Sequence, residues 1–262
     1  CKSDWGELVA DLACPVRGHA GRIHSCAFSA DGGETLLSCA DKEVMIWADA
    51  AGGYAPRAML RNCHKSLRHV GSSAGRLFTA GGSEIKVWDA SAVVAAGFDT
   101  AHIAEGHARR VTQLCIHAAS RTVVSCSDDL TAAIWRERES VGGGRVRSFS
   151  GHGKPVRSCS LSSDGRLVAT GSEDRRVRVY ESGTGELLCN WRHPEKGFSE
   201  NGVSAVTFSP VLAKGGADEG MYILATASGE GNAIAFWRIP PHGVPPQRLT
   251  PPTGASDELI RL

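Results

Sequence analysis

The chain lacks the marks of most catalytic and membrane classes. Its longest apolar stretches, such as Ala92 to Phe98, fall well short of the ~18 residues that suggest a membrane span, and no basic n-region with an apolar core opens it. Neither charge is in excess: 29 Lys plus Arg against 28 Asp plus Glu leave +1. No global field therefore draws the protein to nucleic acid or anionic lipid, and charged recognition has to be local. The nine cysteines, at 1, 14, 26, 39, 63, 115, 126, 159 and 189, include no C-x-x-C pair, which argues against a disulfide framework and against a zinc site. There is no N-x-[ST] acceptor, no G-x-x-x-x-G-K-[ST] loop ("GHGKP" has the wrong spacing) and no dinucleotide fingerprint. These absences predict a soluble, intracellular protein, cytoplasmic with the nucleus as alternative, holding no cofactor or metal and acting on no small-molecule substrate. Because Cys1 rather than methionine opens the chain, a processed product or a segment of something longer is expected.

What is present is a repeat. At 262 residues, with 42% hydrophobic and 22% charged, the chain can bury a sizeable core but is long for one ordinary domain and short for two, so a large all-β domain or a repeat array is expected. Histidines recur at 19, 64, 107, 152 and 193, spaced by 45, 43, 45 and 41 residues. Each unit closes on an aromatic in an alternating run: Trp47, Trp88, Trp135, Tyr180 and Trp237. From His19 to Trp47, His107 to Trp135 and His152 to Tyr180 the distance is always 28 residues, with an aspartate six before the aromatic at Asp41, Asp129 and Asp174. An apolar residue follows each of these histidines by four (Ile23, Val111, Val156) and another three later (Cys26, Leu114, Cys159), so cysteine stands in for a buried valine.

This pattern resembles the tryptophan-aspartate repeat, the WD40 family, over nearly the whole chain, and most closely from Gly151 to Leu188. The resemblance implies an all-β propeller in which each unit builds one four-stranded blade and neighbouring blades bury each other's faces. Blades are expected at 18–62, 63–105, 106–150, 151–191 and, with insertions "PEKGFSENG" and "PVLAKGGADEG", 192–252. Residues 1–17, with Trp5, would end a preceding blade and 253–262, with Leu259 and Leu262, would begin a further one, in a seven-bladed ring with six as the alternative.

The resemblance also implies a buried network of histidine, strand hydroxyl, turn aspartate and indole. Unit three carries His107, Ser125 or Ser127, Asp129 and Trp135; unit four carries His152, Thr170 or Ser172, Asp174 and Tyr180. Unit one has His19, Asp41 and Trp47 but Leu37 and Cys39 where the hydroxyl belongs, so its network should lack one. Units two and five put Gly82 and Gly231 where the aspartate belongs and should be the looser blades. Recurrence of Ser, His and Asp at fixed offsets argues against a hydrolytic triad, since one active site needs one triad.

Function then belongs to a face. Family positions that point to the end with the fourth-to-first and second-to-third connections are Arg22 and His24, Arg110 and Thr112, Pro155 and Arg157, with Asp128 and Glu173 before the aspartates. Arg109 and Lys154 flank them, and Phe198 lies in the blade-five insertion. The first expectation is a non-enzymatic scaffold for several proteins in one assembly, with nucleic acid not directly expected. The alternative is a reader of acidic or phosphorylated motifs, decided by whether Arg22, Arg110 and Arg157 are bare or already paired; a hydrolase, the remaining alternative, would need one histidine of strongly shifted pKa in a cleft.

Overall fold

The computed structural model describes residues 18–29, 35–50, 53–61, 63–73, 75–89, 102–104, 107–117, 120–136, 144–193, 202–210, 221–228, 234–240 and 247–249. Two compact units divide the chain, 1–103 and 104–262. The readings placed on 1–17, on 253–262, on Gly231 and Phe198, and on most of the two insertions lie outside the described residues.

Unit one holds β1 (Ile23–Phe28), β2 (Thr35–Ala40), β3 (Glu43–Ala50) and β4 (Gly53–Arg61) in one sheet, and β5 (Leu67–Ser73), β6 (Arg76–Gly81) and β7 (Glu84–Asp89) in a second, which β8 (His102–Ala104) completes at the unit boundary. Unit two holds three sheets: β9 (Val111–His117) to β12 (Gly144–Phe149), with β10 (Thr122–Ser127) and β11 (Ala132–Arg136) between; β13 (Val156–Leu161), β14 (Leu167–Ser172), β15 (Arg176–Glu181) and β16 (Leu187–Arg192); and β17 (Val203–Phe208), β18 (Tyr222–Ser228), β19 (Ile234–Ile239) and β20 (Gln247–Leu249). Every sheet runs in chain order, and the paired strands are antiparallel. This is the meander of a propeller blade, and the strands are short because each ends in a turn rich in Gly, Asp or Ser.

The second strands of the third and fourth blades are covered on both faces, so they read as runs of small and apolar residues rather than strict alternation. All six residues of β10 and of β14 are buried. Within unit two, Val124, Cys126, Ala132 and Ile134 of the third blade pack on Val156, Cys159 and Leu161 of the fourth. Leu167, Ala169, Val177 and Val179 of the fourth pack in turn on Val203, Val206 and Phe208 of the fifth. Gly171 is small for that reason: a Cβ there would lie 2.7 Å from Val203 Cγ1 and 2.8 Å from Val206 Cγ1.

The first strands also present backbone groups that lie beyond their own sheet's ladder, and side chains from the preceding blade reach some of them. Gln113 Oε1 accepts the Cys159 N–H at 3.0 Å, Ser158 Oγ the Val206 N–H at 3.0 Å and Ser160 Oγ the Phe208 N–H at 3.0 Å, while Thr112 Oγ1 donates to the Val156 carbonyl at 2.6 Å. Polar residues on β9 and β13 thus supply what a bare strand edge would leave unmet.

Unit one departs from the expected core. Its two blades join through Leu37, Cys39, Val44 and Ile46 against Leu67 and Val70. The residues read as core on β1 do not share in this: Ile23 is 57% exposed and Cys26 is exposed, as is Phe28. They lie away from the face that β5 covers. Leu114 is likewise only half-buried.

Gly171→Val is expected to destabilise by about 1 to 3 kcal/mol through overpacking against Val203 and Val206. Urea unfolding measures it, and an unchanged midpoint would show that blades four and five can shift apart without cost.

Candidate protein-interaction surface

The end of each blade that carries the second-to-third turn is organised by a buried histidine. In the third blade, His107 Nδ1 lies 2.9 Å from Asp129 Oδ2, His107 Nε2 2.7 Å from Ser125 Oγ, and Trp135 Nε1 donates to Ser125 Oγ at 2.7 Å. The carboxylate fixes the direction of the chain: Nδ1–H donates to Asp129, the Ser125 O–H donates to Nε2, and the indole N–H is free to donate to Ser125. Asp129 also accepts the Ala108 N–H at 2.9 Å. In the fourth blade the distances are 2.8 Å from His152 Nδ1 to Asp174 and 2.9 Å from Nε2 to Thr170. Tyr180 stands outside that chain and donates instead to the Ser150 carbonyl at 3.1 Å.

The first blade has the hydroxyl that its spacing seemed to omit. Ser38 Oγ lies 2.7 Å from His19 Nε2 and accepts Trp47 Nε1–H at 2.8 Å. Its carboxylate is also a different one: His19 Nδ1 and the Ala20 N–H both reach Glu43 Oε1, at 3.0 and 3.1 Å. The second blade keeps the hydroxyl, with Thr79 between His64 and Trp88 at 2.9 Å from each, but Glu84 lies 3.8 Å from His64 Nδ1, beyond hydrogen-bond reach. In the fifth, Trp237 Nε1 donates to Thr226 at 2.8 Å, and His193 is buried.

Cross-strand register explains why counting along the chain misled. The aromatics stand opposite Leu36, Leu77, Val123, Val168 and Leu224, and in every blade the hydroxyl comes two residues later, on the same face of the second strand. The unpaired turn runs over 41–42 and 82–83 in the first two blades and over 127–131 and 172–176 in the next two. The hydroxyl-to-aromatic distance therefore grows with turn length, and a short turn moves the acid from the turn to the first residue of the third strand.

Asp41, relieved of His19, binds another ring. His24 Nε2 lies 2.6 Å from Asp41 Oδ1, and Arg68 Nη1 donates to His24 Nδ1 at 2.9 Å. The His24 hydrogen bond holds the Asp41 carboxyl below its ordinary range. Unit two has a comparable strap between its third and fourth blades. Arg110 Nε donates to Asp128 at 3.0 Å, Arg157 Nη1 to the same carboxylate at 2.9 Å, and Arg157 Nε to Glu173 at 2.8 Å. Arg157 also bonds Glu173 through Nη2. The basic rim of the sequence reading is corrected here: Arg110 and Arg157 are paired, and of its cations only Arg22, Arg109 and Lys154 have side chains with no hydrogen bond or ion pair among the described residues.

Burial sets the protonation of the networks. Burial, then the Lys86 ammonium, lowers His64 to about 4, and burial also lowers His152 against the pull of Asp174. Burial would raise Asp174 and Asp129, but their hydrogen bonds outweigh it and both stay below the ordinary carboxylate range.

Four-stranded blades, four of which lock a histidine to a strand hydroxyl, define a repeat protein of the β-propeller class. The family model described as WD domain, G-beta repeat, matches residues 11–48, 99–136 and 143–181. A guanine nucleotide-binding protein subunit beta of Oryza sativa subsp. indica is 27% identical over 218 residues, covering 78% of this chain and 57% of that protein. The nuclear distribution protein PAC1 of Komagataella phaffii is 29% identical over 161 residues, 55% of this chain and 31% of that one. A crystal structure of the mitotic checkpoint complex contains a chain alike in fold, with a TM-score of 0.72 at 15% identity over 89% of this chain and 65% of that chain. Over those three segments the chain is similar to the WD-repeat family, and it spans less than two thirds of the length of the plant relatives it matches.

Two outcomes are expected. Glu43→Ala should cost about 1 to 3 kcal/mol by stranding His19 and the Ala20 N–H, and Asp41→Ala should cost less in the same urea titration; the reverse order would restore Asp41 to the network. The second concerns acid. Between pH 6.5 and about 4 the unfolded chain takes up a proton at His64 that the folded chain refuses, so this contribution is intact above 6.5 and lost as pH falls. By pH 5 it amounts to about 2 kcal/mol. Denaturation at pH 7.5 and 5 in the unsubstituted chain and in His64→Gln measures it, and an equal fall in both would remove His64 as the cause.

Proposed function

We propose that this chain is a non-enzymatic scaffold that presents the turn-bearing ends of its blades to other proteins within one assembly. The observation that carries the reading is repetition: His with a hydroxyl recurs in four blades and an indole joins in three of them. In each the hydroxyl is committed to a buried ring, so the Ser–His–Asp resemblance to a hydrolase is a property of the blade rather than of one cleft. The names of the relatives, a subunit and a member of a complex, support the same reading.

Arg22 and His24 are proposed as a docking surface of the unit 1–103 taken by itself, and the docking face proposed on the unit 104–262 is the rim of Arg110, Asp128, Lys154, Arg157 and Glu173. Its pairing alters the chemistry expected of it. A surface already neutralised by Arg110–Asp128–Arg157–Glu173 is rigid and of mixed sign, which suits a polar protein interface better than a single phosphate. The cytoplasm is the compartment proposed, with the nucleus as alternative; among the described residues no helix is long and apolar enough to cross a membrane.

The test is affinity capture with mass spectrometry on the unsubstituted chain and on Arg109→Glu/Lys154→Glu. Loss of at least one partner is expected, with stability within about 0.5 kcal/mol as for exposed sites. An unchanged partner set would move the docking face elsewhere.

A further inference from the structure

The position four residues before the aromatic, which opens the third strand or directly precedes it, has different occupants in the four blades where it is described. In the first two blades it is Glu43 and Glu84, the carboxylates facing His19 and His64. In the third, where the longer turn supplies the acid, it is Thr131, bonded to Asp129 at 2.6 Å. In the fourth it is Arg176. The cross-strand partner makes the contrast sharper: Glu43 stands opposite Arg61, a pair of unlike charge, whereas Arg176 stands opposite Arg192, a pair of like charge.

Like charges directly opposite in a sheet cost stability, and nothing in the fold requires this pair. Both side chains are exposed, so neither fills a core. Arg176 Nη1 reaches only the neutral Asn190 Oδ1, at 3.2 Å. The neighbouring carboxylates are engaged elsewhere: Asp174 by His152, the Gly153 N–H and Arg178, and Glu173 by Arg157. Arg175 adds a further cation, held at φ 66° with its carbonyl accepting the His193 N–H at 2.9 Å. Arg175, Arg176 and Arg192 therefore gather at one corner of the blade, at the outer edge formed by β16; Asp174 Oδ1 accepts the Arg176 backbone N–H at 2.9 Å, but among the described residues no carboxylate bonds the guanidinium of any of the three.

We propose that this corner is a second docking site, distinct from the rim above, which takes an acidic segment of a partner protein along the outer edge of the fourth blade. The chemistry is set by the guanidinium pair, whose planar donors match carboxylates two at a time. The partner's carboxylates would relieve the repulsion that the sheet bears alone.

The experiment titrates a short fluorescein-labelled Glu-rich peptide into the purified chain by fluorescence anisotropy, with a Lys-rich peptide as control, beside Arg176→Glu, Arg192→Gln and Lys154→Glu. Arg176→Glu recreates the unlike pair of the first blade, so its urea midpoint should equal or exceed that of the unsubstituted chain while peptide affinity falls roughly tenfold. Arg192→Gln should also weaken binding, and salt should weaken it in the unsubstituted chain. Lys154→Glu, which tests the rim, should leave this titration unchanged, so failure of one site is separable from failure of the other. Equal affinity in Arg176→Glu, capture of the Lys-rich peptide as readily, or equal competition by duplex RNA would overturn the proposal, the last in favour of a general polyanion surface.

Discussion

A buried imidazole has two nitrogens to satisfy, and in this protein that requirement governs the rest of each blade. One nitrogen needs a donor and the other an acceptor, and leaving either bare inside the sheet costs about 1 to 3 kcal/mol. A hydroxyl on the second strand answers one side and a carboxylate the other, so the histidine ties the loop entering the blade to its middle strands. In three blades the indole of the third strand closes on the same hydroxyl. Four parts of the sequence are thereby fixed to one another before any apolar packing is counted. The packing then follows from the register these bonds impose, since a slip by one residue would turn Val177 and Val179 away from Val203 and Val206.

Much of the fold was legible because that constraint leaves a period in the chain. Histidine and aromatic recur, and the intervals between histidines give the blade length directly. What could not be read was which groups meet inside the period. A count along the chain assumes that every turn has the length of the best-matched one. The hydroxyl is held by cross-strand register, so Ser38 lies nine residues before Trp47 and Ser125 ten before Trp135, although both make the same two bonds. Leu37 and Cys39 drew attention as the wrong residues when the right one lay between them. Sequence could have revealed the rule through the Glu at the start of the third strand, present in both blades with a two-residue turn.

The rim was harder, because its meaning depends on partners from two blades. Arg110 and Arg157 read singly are cations, and so they suggested an anionic ligand. In place, Asp128 stands between them and Glu173 completes the series. The side chains without a hydrogen bond or ion pair among the described residues, those of Arg22, Arg109 and Lys154, were named in the same breath as the paired ones, since type and spacing do not distinguish a committed charge from an uncommitted one. Ile23 and Cys26 failed for a related reason: burial belongs to the face a neighbour covers, and β5 covers the other face of that blade.

The two ways of supplying the carboxylate have unequal consequences for what the surface can become. Where the turn is short, the third strand must begin with Glu, and that position is bound to the fold. Where the turn is longer, Asp129 or Asp174 carries the histidine from within the turn and the position four before the aromatic is released. One blade has used the freedom for Thr131, which strengthens its own turn, and another for Arg176, whose guanidinium reaches only the neutral Asn190. An added stretch of turn thus separates the residue that holds the blade from the residue that faces outward, so charge can appear on the fourth blade's edge without disturbing the buried ring behind it.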